Sequence, residues 1–121
     1  MRPDKLDRDL GSVARGLRHL PDVLDRRLQD RQVGGESDDQ LADRIAFQDE
    51  WWDLIDRLDT LRSAYVTGNL TESQRRAFEG LCPLILDAVP LISELGLRAP
   101  TADTVDAARQ VDGRDVITRS A

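Results

Sequence analysis

Leu6, Leu10, Val13, Leu17, Leu20, Leu24 and Leu28 recur at spacings of 4, 3, 4, 3, 4 and 4. That rhythm puts all seven on one narrow face of an α-helix. The pattern predicts a first helix over residues 4–31, bent at Pro21 rather than broken, because the stripe keeps its phase across the proline. Gly34-Gly35 ends it. Ser37 and Gln40 then form a capping box, in which each side chain satisfies the other's backbone N–H, and this opens a second helix over 38–66.

The second helix contains FQDEWWDLIDRL (47–58) and four of the five aromatic residues. Neighbours on a helix point about 100° apart, so one stripe cannot take both tryptophans. Phe47, Trp51, Leu54, Leu58, Leu61 and Tyr65 form one seam with the a/d rhythm of lengthwise helix packing. Leu41, Ile45, Trp52 and Ile55 form a second, displaced by roughly 120°. Together they span roughly 200°, about twice the stripe of a one-sided surface helix. Asp49, Glu50, Asp53, Asp56 and Arg57 fill the wet arc.

Gly68-Asn69 stops this helix, and Thr71 with Gln74 repeats the capping box. Phe78, Leu81, Ile85, Ala88, Ile92 and Leu95 then predict a third helix over 72–95, bowed with Pro83 and Pro90 facing outward. Gly96 ends it, Pro100 blocks continuation, and Thr101 caps a short fourth helix reaching Val111. No strand pattern competes. The expected fold is all-α: an antiparallel, up-down-up bundle of three long helices plus a short C-terminal helix, one domain over 1–111 with a loose tail over 112–121.

Composition narrows the chemistry. With 121 residues the chain makes one core, and its 40% apolar and 33% charged residues are those of a foldable, charge-rich helical protein. The arginine and aspartate bias fits a GC-rich, bacterial genome. A net charge of −6 repels phosphate backbones and anionic lipid, so neither nucleic acid nor membrane is an expected partner. The single Cys82 forms no intramolecular disulfide, no zinc spacing occurs, and the amino terminus lacks a signal-peptide core; the chain reads as cytoplasmic. No cofactor is expected.

Catalytic motifs are weak. Asp49, Glu50 and Asp53 share one side of helix two, and Glu50/Asp53 is an E-x-x-D pair, the type that holds magnesium in the all-α nucleotide pyrophosphohydrolases. The second pair such an enzyme needs is Glu36/Asp39, which falls at a turn and cap, so a solvated face is the plainer reading. His19 lacks the small and basic neighbours of a phosphotransfer site. Arg8, Arg15 and Arg26 lie on the back of helix one, with Asp4 and Asp22 placed to pair with Arg8 and Arg26.

Two arrangements account for the wide apolar arc. Helix two is either the centre of a monomeric bundle, or one seam faces inward and part of the other faces a partner. The second arrangement gives a small non-catalytic interaction module whose partner is a second copy of the chain, or another protein, with Phe47, Trp51, Trp52, Ile55, Leu58 and Tyr65 as interface residues. The alternative is a divalent-metal-dependent hydrolase, similar to the pyrophosphohydrolases, acting through Asp49, Glu50 and Asp53.

Overall fold

The computed structural model describes residues 3–32, 34 and 37–113. These form four helices and, among the described residues, no strand: α1 (Pro3–Gln32), α2 (Asp38–Val66), α3 (Glu72–Leu95) and α4 (Ala102–Asp112). No described helix is long and apolar enough to cross a membrane.

Local chemistry sets the boundaries. Ser37 Oγ accepts from the Gln40 N–H at 3.2 Å while the Gln40 side chain accepts from the Ser37 N–H at 2.7 Å. Thr71 and Gln74 repeat the exchange at 3.2 and 3.0 Å. These are reciprocal caps on donors that a helix start leaves unpaired. Thr101 caps α4 by accepting from the Thr104 N–H. Gly96 ends α3 in the left-handed region at φ 67°, where a side chain would be strained. α1 runs through Pro21 without a break. On α3, Pro90 is exposed as the stripe implies, but Pro83 is half-buried. The fourth helix runs one residue beyond Val111, so Asp112 belongs to it rather than to a tail; residues 114–121 of that expected tail lie outside the described residues.

The core joins three stripes: Leu6 to Leu20 of α1, Trp51 to Leu61 of α2, and Phe78 to Leu95 of α3. Leu97 and Ala108 close it from the C-terminal side. α3 is the element the others gather on, packing most extensively against α1 and α4, while α2 lies mainly along α1. Helix two is therefore not the central rod of the bundle. Short side chains let α1 and α2 approach: a Cβ placed on Gly16 would overlap the Leu54 side chain.

Polar ties fix the register at the margins. Arg57 of α2 donates to Ser12 Oγ at 3.1 Å, pairs with Asp53 at 2.7 Å and reaches the buried Asp9 at 3.9 Å, where Lys5 also sits at 3.4 Å. Gln40 donates to Asp30 at 2.9 Å. Gln74 donates to Asp7 at 3.1 Å and Arg27 to the Leu95 carbonyl at 2.9 Å, tying both ends of α3 to α1. Tyr65 donates to Glu79 at 2.8 Å and stacks on Phe78.

Gly16 of α1 and Gly80 of α3 should respond oppositely to added bulk. Helix propensity favours alanine by about 1 kcal/mol. Gly80 has open space around a new Cβ, so Gly80→Ala should gain about 0.5–1 kcal/mol in urea unfolding. Gly16→Ala must displace Leu54 and should fall at least about 1 kcal/mol below Gly80→Ala. Equal gains would show that α1 and α2 are not in close contact at Gly16.

Candidate interaction surface

The adjacent tryptophans touch the same residue from opposite sides. Trp51 is 1% exposed, and its indole N–H donates to the Arg98 carbonyl at 2.7 Å. Trp52 is 56% exposed, and the Arg98 guanidinium lies over its ring, 4.3 Å from the centroid. Arg98 also donates to the Trp52 carbonyl at 3.3 Å and to Asp56 at 2.8 Å. The segment after α3 thus crosses α2 as a strap, held by one buried indole and one exposed one. A cation over an exposed ring contributes roughly 0.5–1 kcal/mol. Burial of an indole contributes several times that, up to roughly 4–6 kcal/mol before entropy.

Beyond the strap, α4 docks on the same side of α2. Thr104, fully buried, donates to Asp59 at 2.7 Å, and Thr101 donates to the same oxygen at 3.2 Å. Ile55, on this part of α2, is fully buried in the core. Strap and short helix do not reach the first half of α2. No described residue between Pro21 and Glu50 is buried, whereas α1 is buried as far as Leu20 and α2 from Trp51 onward. Leu28 (43% exposed), Leu41 (38%) and Ile45 (51%) lie on this end, with Trp52 at its edge. Between the two helices here is an open groove of about 380 Å³ whose lining includes Val23, Phe47, Arg26, Arg27, Asp43 and Glu50.

Of the six expected interface residues, only Trp52 is exposed. Trp51, Ile55 and Leu58 are fully inside the core and cannot meet a partner in the folded chain. Phe47 is half-buried and stacked on Trp51, with centroids 6.2 Å apart; Tyr65 is half-buried and committed to Glu79 and Phe78. The second seam of α2 divides instead: Ile55 is covered from within, and Leu41, Ile45 and Trp52 are left at the surface. Leu28, taken from sequence as the last core position of α1, belongs to the same surface end.

The other candidates find no converging site. Asp49, Glu50 and Asp53 are all exposed, Asp53 is engaged by Arg57, and the described residues contain no group of three acidic, histidine or cysteine side chains able to hold a metal ion. Glu36 lies outside the described residues. His19 is exposed, with Nδ1 3.9 Å from Asp22. Arg8, Arg15 and Arg26 are exposed as well. Cys82 is buried, its thiol donating to the Phe78 carbonyl at 3.4 Å, and burial followed by the nearby Asp112 and Glu79 carboxylates pushes its pKa up to about 12. No family model, curated protein or solved structure matches the chain.

The two tryptophans should separate in solution. Trp51→Ala should cost about 3–5 kcal/mol in urea unfolding, as deletion of a buried aromatic does, and Trp52→Ala about 1 kcal/mol or less. Acrylamide should quench the emission that Trp52→Phe removes. Similar costs for both would mean that Trp52 is buried in solution.

Cys82 gives a second check. Its folded pKa lies above its unfolded value near 9, so the native state resists losing that proton. The stability it contributes is complete below about pH 9 and is lost progressively as pH rises toward 12. Tyr65, whose pKa is raised by burial and then by Glu79, acts in the same direction. A thiol reagent at pH 8 should label Cys82 only as fast as the chain unfolds. Rapid labelling of folded protein would contradict its burial.

Proposed function

We propose that this protein is a small, non-catalytic interaction module that works in the cytoplasm by docking the end formed by residues 21–50 against a helical protein partner. The observation that carries the reading is the uncovered helix ends themselves: residues 21–32 of α1 and 38–50 of α2 hold no buried side chain, and Leu28, Leu41 and Ile45 lie exposed on them with Trp52 just beyond. Isolated surface leucines are ordinary, but large apolar side chains grouped on one unpacked end are characteristic of docking surfaces. An up-down-up course of α1, α2 and α3 accompanies this reading. It is supported by the order of the cross-helix pairs, Ser12 with Arg57 and Asp30 with Gln40, against Asp7 with Gln74 and Arg27 with Leu95. A buried free Cys82 suits a reducing compartment.

A second copy of the chain is the commonest occupant of such a face. Two measurements test the reading. Replacing Leu41, Ile45 and Trp52 together by serine should leave the free energy of urea unfolding within about 1–2 kcal/mol of wild type, since these side chains add little to the monomer's core. Global unfolding of that variant would show the stripe to be structural and remove the docking surface. Sedimentation from micromolar to millimolar protein then reports self-docking directly, as a rise in mass that the triple variant abolishes.

A further inference from the structure

We infer that the occupant of the α1–α2 end is a basic amphipathic helix of a different protein, an inference that rests on the docking role of that end and names the partner's chemistry. Residues 21–32 and 38–50 contain eight acidic and four basic side chains, so a net charge of −4, out of −6 for the chain, falls on these two uncovered helix stretches. The same stretches hold Leu28, Leu41 and Ile45, with Trp52 two residues further on.

Charge and apolar surface interleave on α2. Asp38, Ile45, Asp49, Trp52 and Asp56 follow one another at spacings of 7, 4, 3 and 4, a single row along the helix. Asp56 is neutralised by Arg98, and the neighbouring Asp53 by Arg57. Asp38 and Asp49 are exposed and have no ion-pair partner among the described residues. A ligand that lies along this row over Ile45 meets these two carboxylates, and at Trp52 it meets a ring already covered on one side by the Arg98 guanidinium, whose charge is balanced by Asp56. A helix with apolar side chains at i, i+3 or i+4 and i+7, flanked by lysine or arginine, meets both demands, and long-range attraction would speed its encounter.

A second copy meets neither. It brings the same excess of negative charge to within a Debye length of about 8 Å. Parallel pairing sets Asp49 against itself, and antiparallel pairing centred on the stripe sets Asp49 near Ile45 of the other copy. An anionic lipid surface is repelled by the same field.

The test uses the full chain and two labelled helical peptides of about twenty residues. Both carry the same leucine and isoleucine stripe, one flanked by lysines and the other by glutamates. Fluorescence anisotropy should give saturable binding of the lysine peptide, about tenfold or more tighter than the glutamate peptide at low salt. The preference should collapse in 1 M salt, where the Debye length is about 3 Å, and shrink severalfold in the Asp38→Asn, Asp49→Asn double variant. Ile45→Glu should abolish binding even though it adds negative charge, which distinguishes docking on the stripe from loose ionic attraction. Equal binding of the two peptides, or binding indifferent to Ile45→Glu, overturns the inference. Saturable binding to anionic vesicles through Ile45 and Trp52 also overturns it. If neither peptide binds but the chain forms a dimer that Ile45→Glu dissociates, the docking surface stands and the basic partner falls. If neither peptide binds and the chain stays monomeric, both fall.

Discussion

The hydrogen bond from the Trp51 indole to the Arg98 carbonyl, 2.7 Å long, fixes the path of the chain after α3. A buried indole N–H without an acceptor would cost roughly 1–3 kcal/mol, so the ring is secure in the core only when that carbonyl is in place. Once it is, the Arg98 side chain emerges over Trp52 and meets Asp56. Leu97 faces inward, and Thr101 and Thr104 come within reach of Asp59. The Trp51 hydrogen bond thus sets the course of the chain into α4, which then packs mainly on α3.

That strap also decides what stays uncovered. Gly96 turns the chain in the left-handed region at a point level with Arg27, whose guanidinium caps the Leu95 carbonyl. From there the chain crosses α2 at Trp51 and Trp52 and continues toward Asp59, away from residues 38–50. α2 itself is apolar on two sides along much of its length, but the protein supplies a second layer only downstream of the crossing. The exposed stripe is not a failure of patterning. It is the part of a continuous seam that none of the described elements covers.

Most of the fold was legible because it is encoded in local signals. Heptad-like spacing, the Ser37/Gln40 and Thr71/Gln74 boxes, Thr101 and the terminal glycines gave helix boundaries to within a residue or two. These depend on side chains a turn apart and need no tertiary information. The surface was read less well for the opposite reason. Spacing assigns residues to a face but not to the neighbour that covers it, so Ile55 and Ile45 looked equivalent although one is fully buried and the other half exposed. Arg98 carried no signal, since an arginine between Gly96 and Pro100 reads as a connector until its carbonyl is seen beneath Trp51. Spacing likewise does not show that Trp51 and Leu58 lie in the core while Trp52 stays exposed.

The concentration of negative charge on the uncovered end bears on solubility as well as recognition. Exposed isoleucine, leucine and tryptophan side chains grouped on one surface favour self-association at high protein concentration. Interleaved, unpaired carboxylates oppose this, because two like fields must be brought together before the apolar contact is gained. Toward a cationic helix the same carboxylates are attractive, offsetting the desolvation of the charges, and its approach lowers their mutual repulsion. Neutral residues at Asp38 and Asp49 would leave the apolar stripe as available to a second copy as to any partner. Acidic ones penalise a like-charged copy, and discrimination between partners in general rests on penalties against the wrong partner as much as on contacts with the right one.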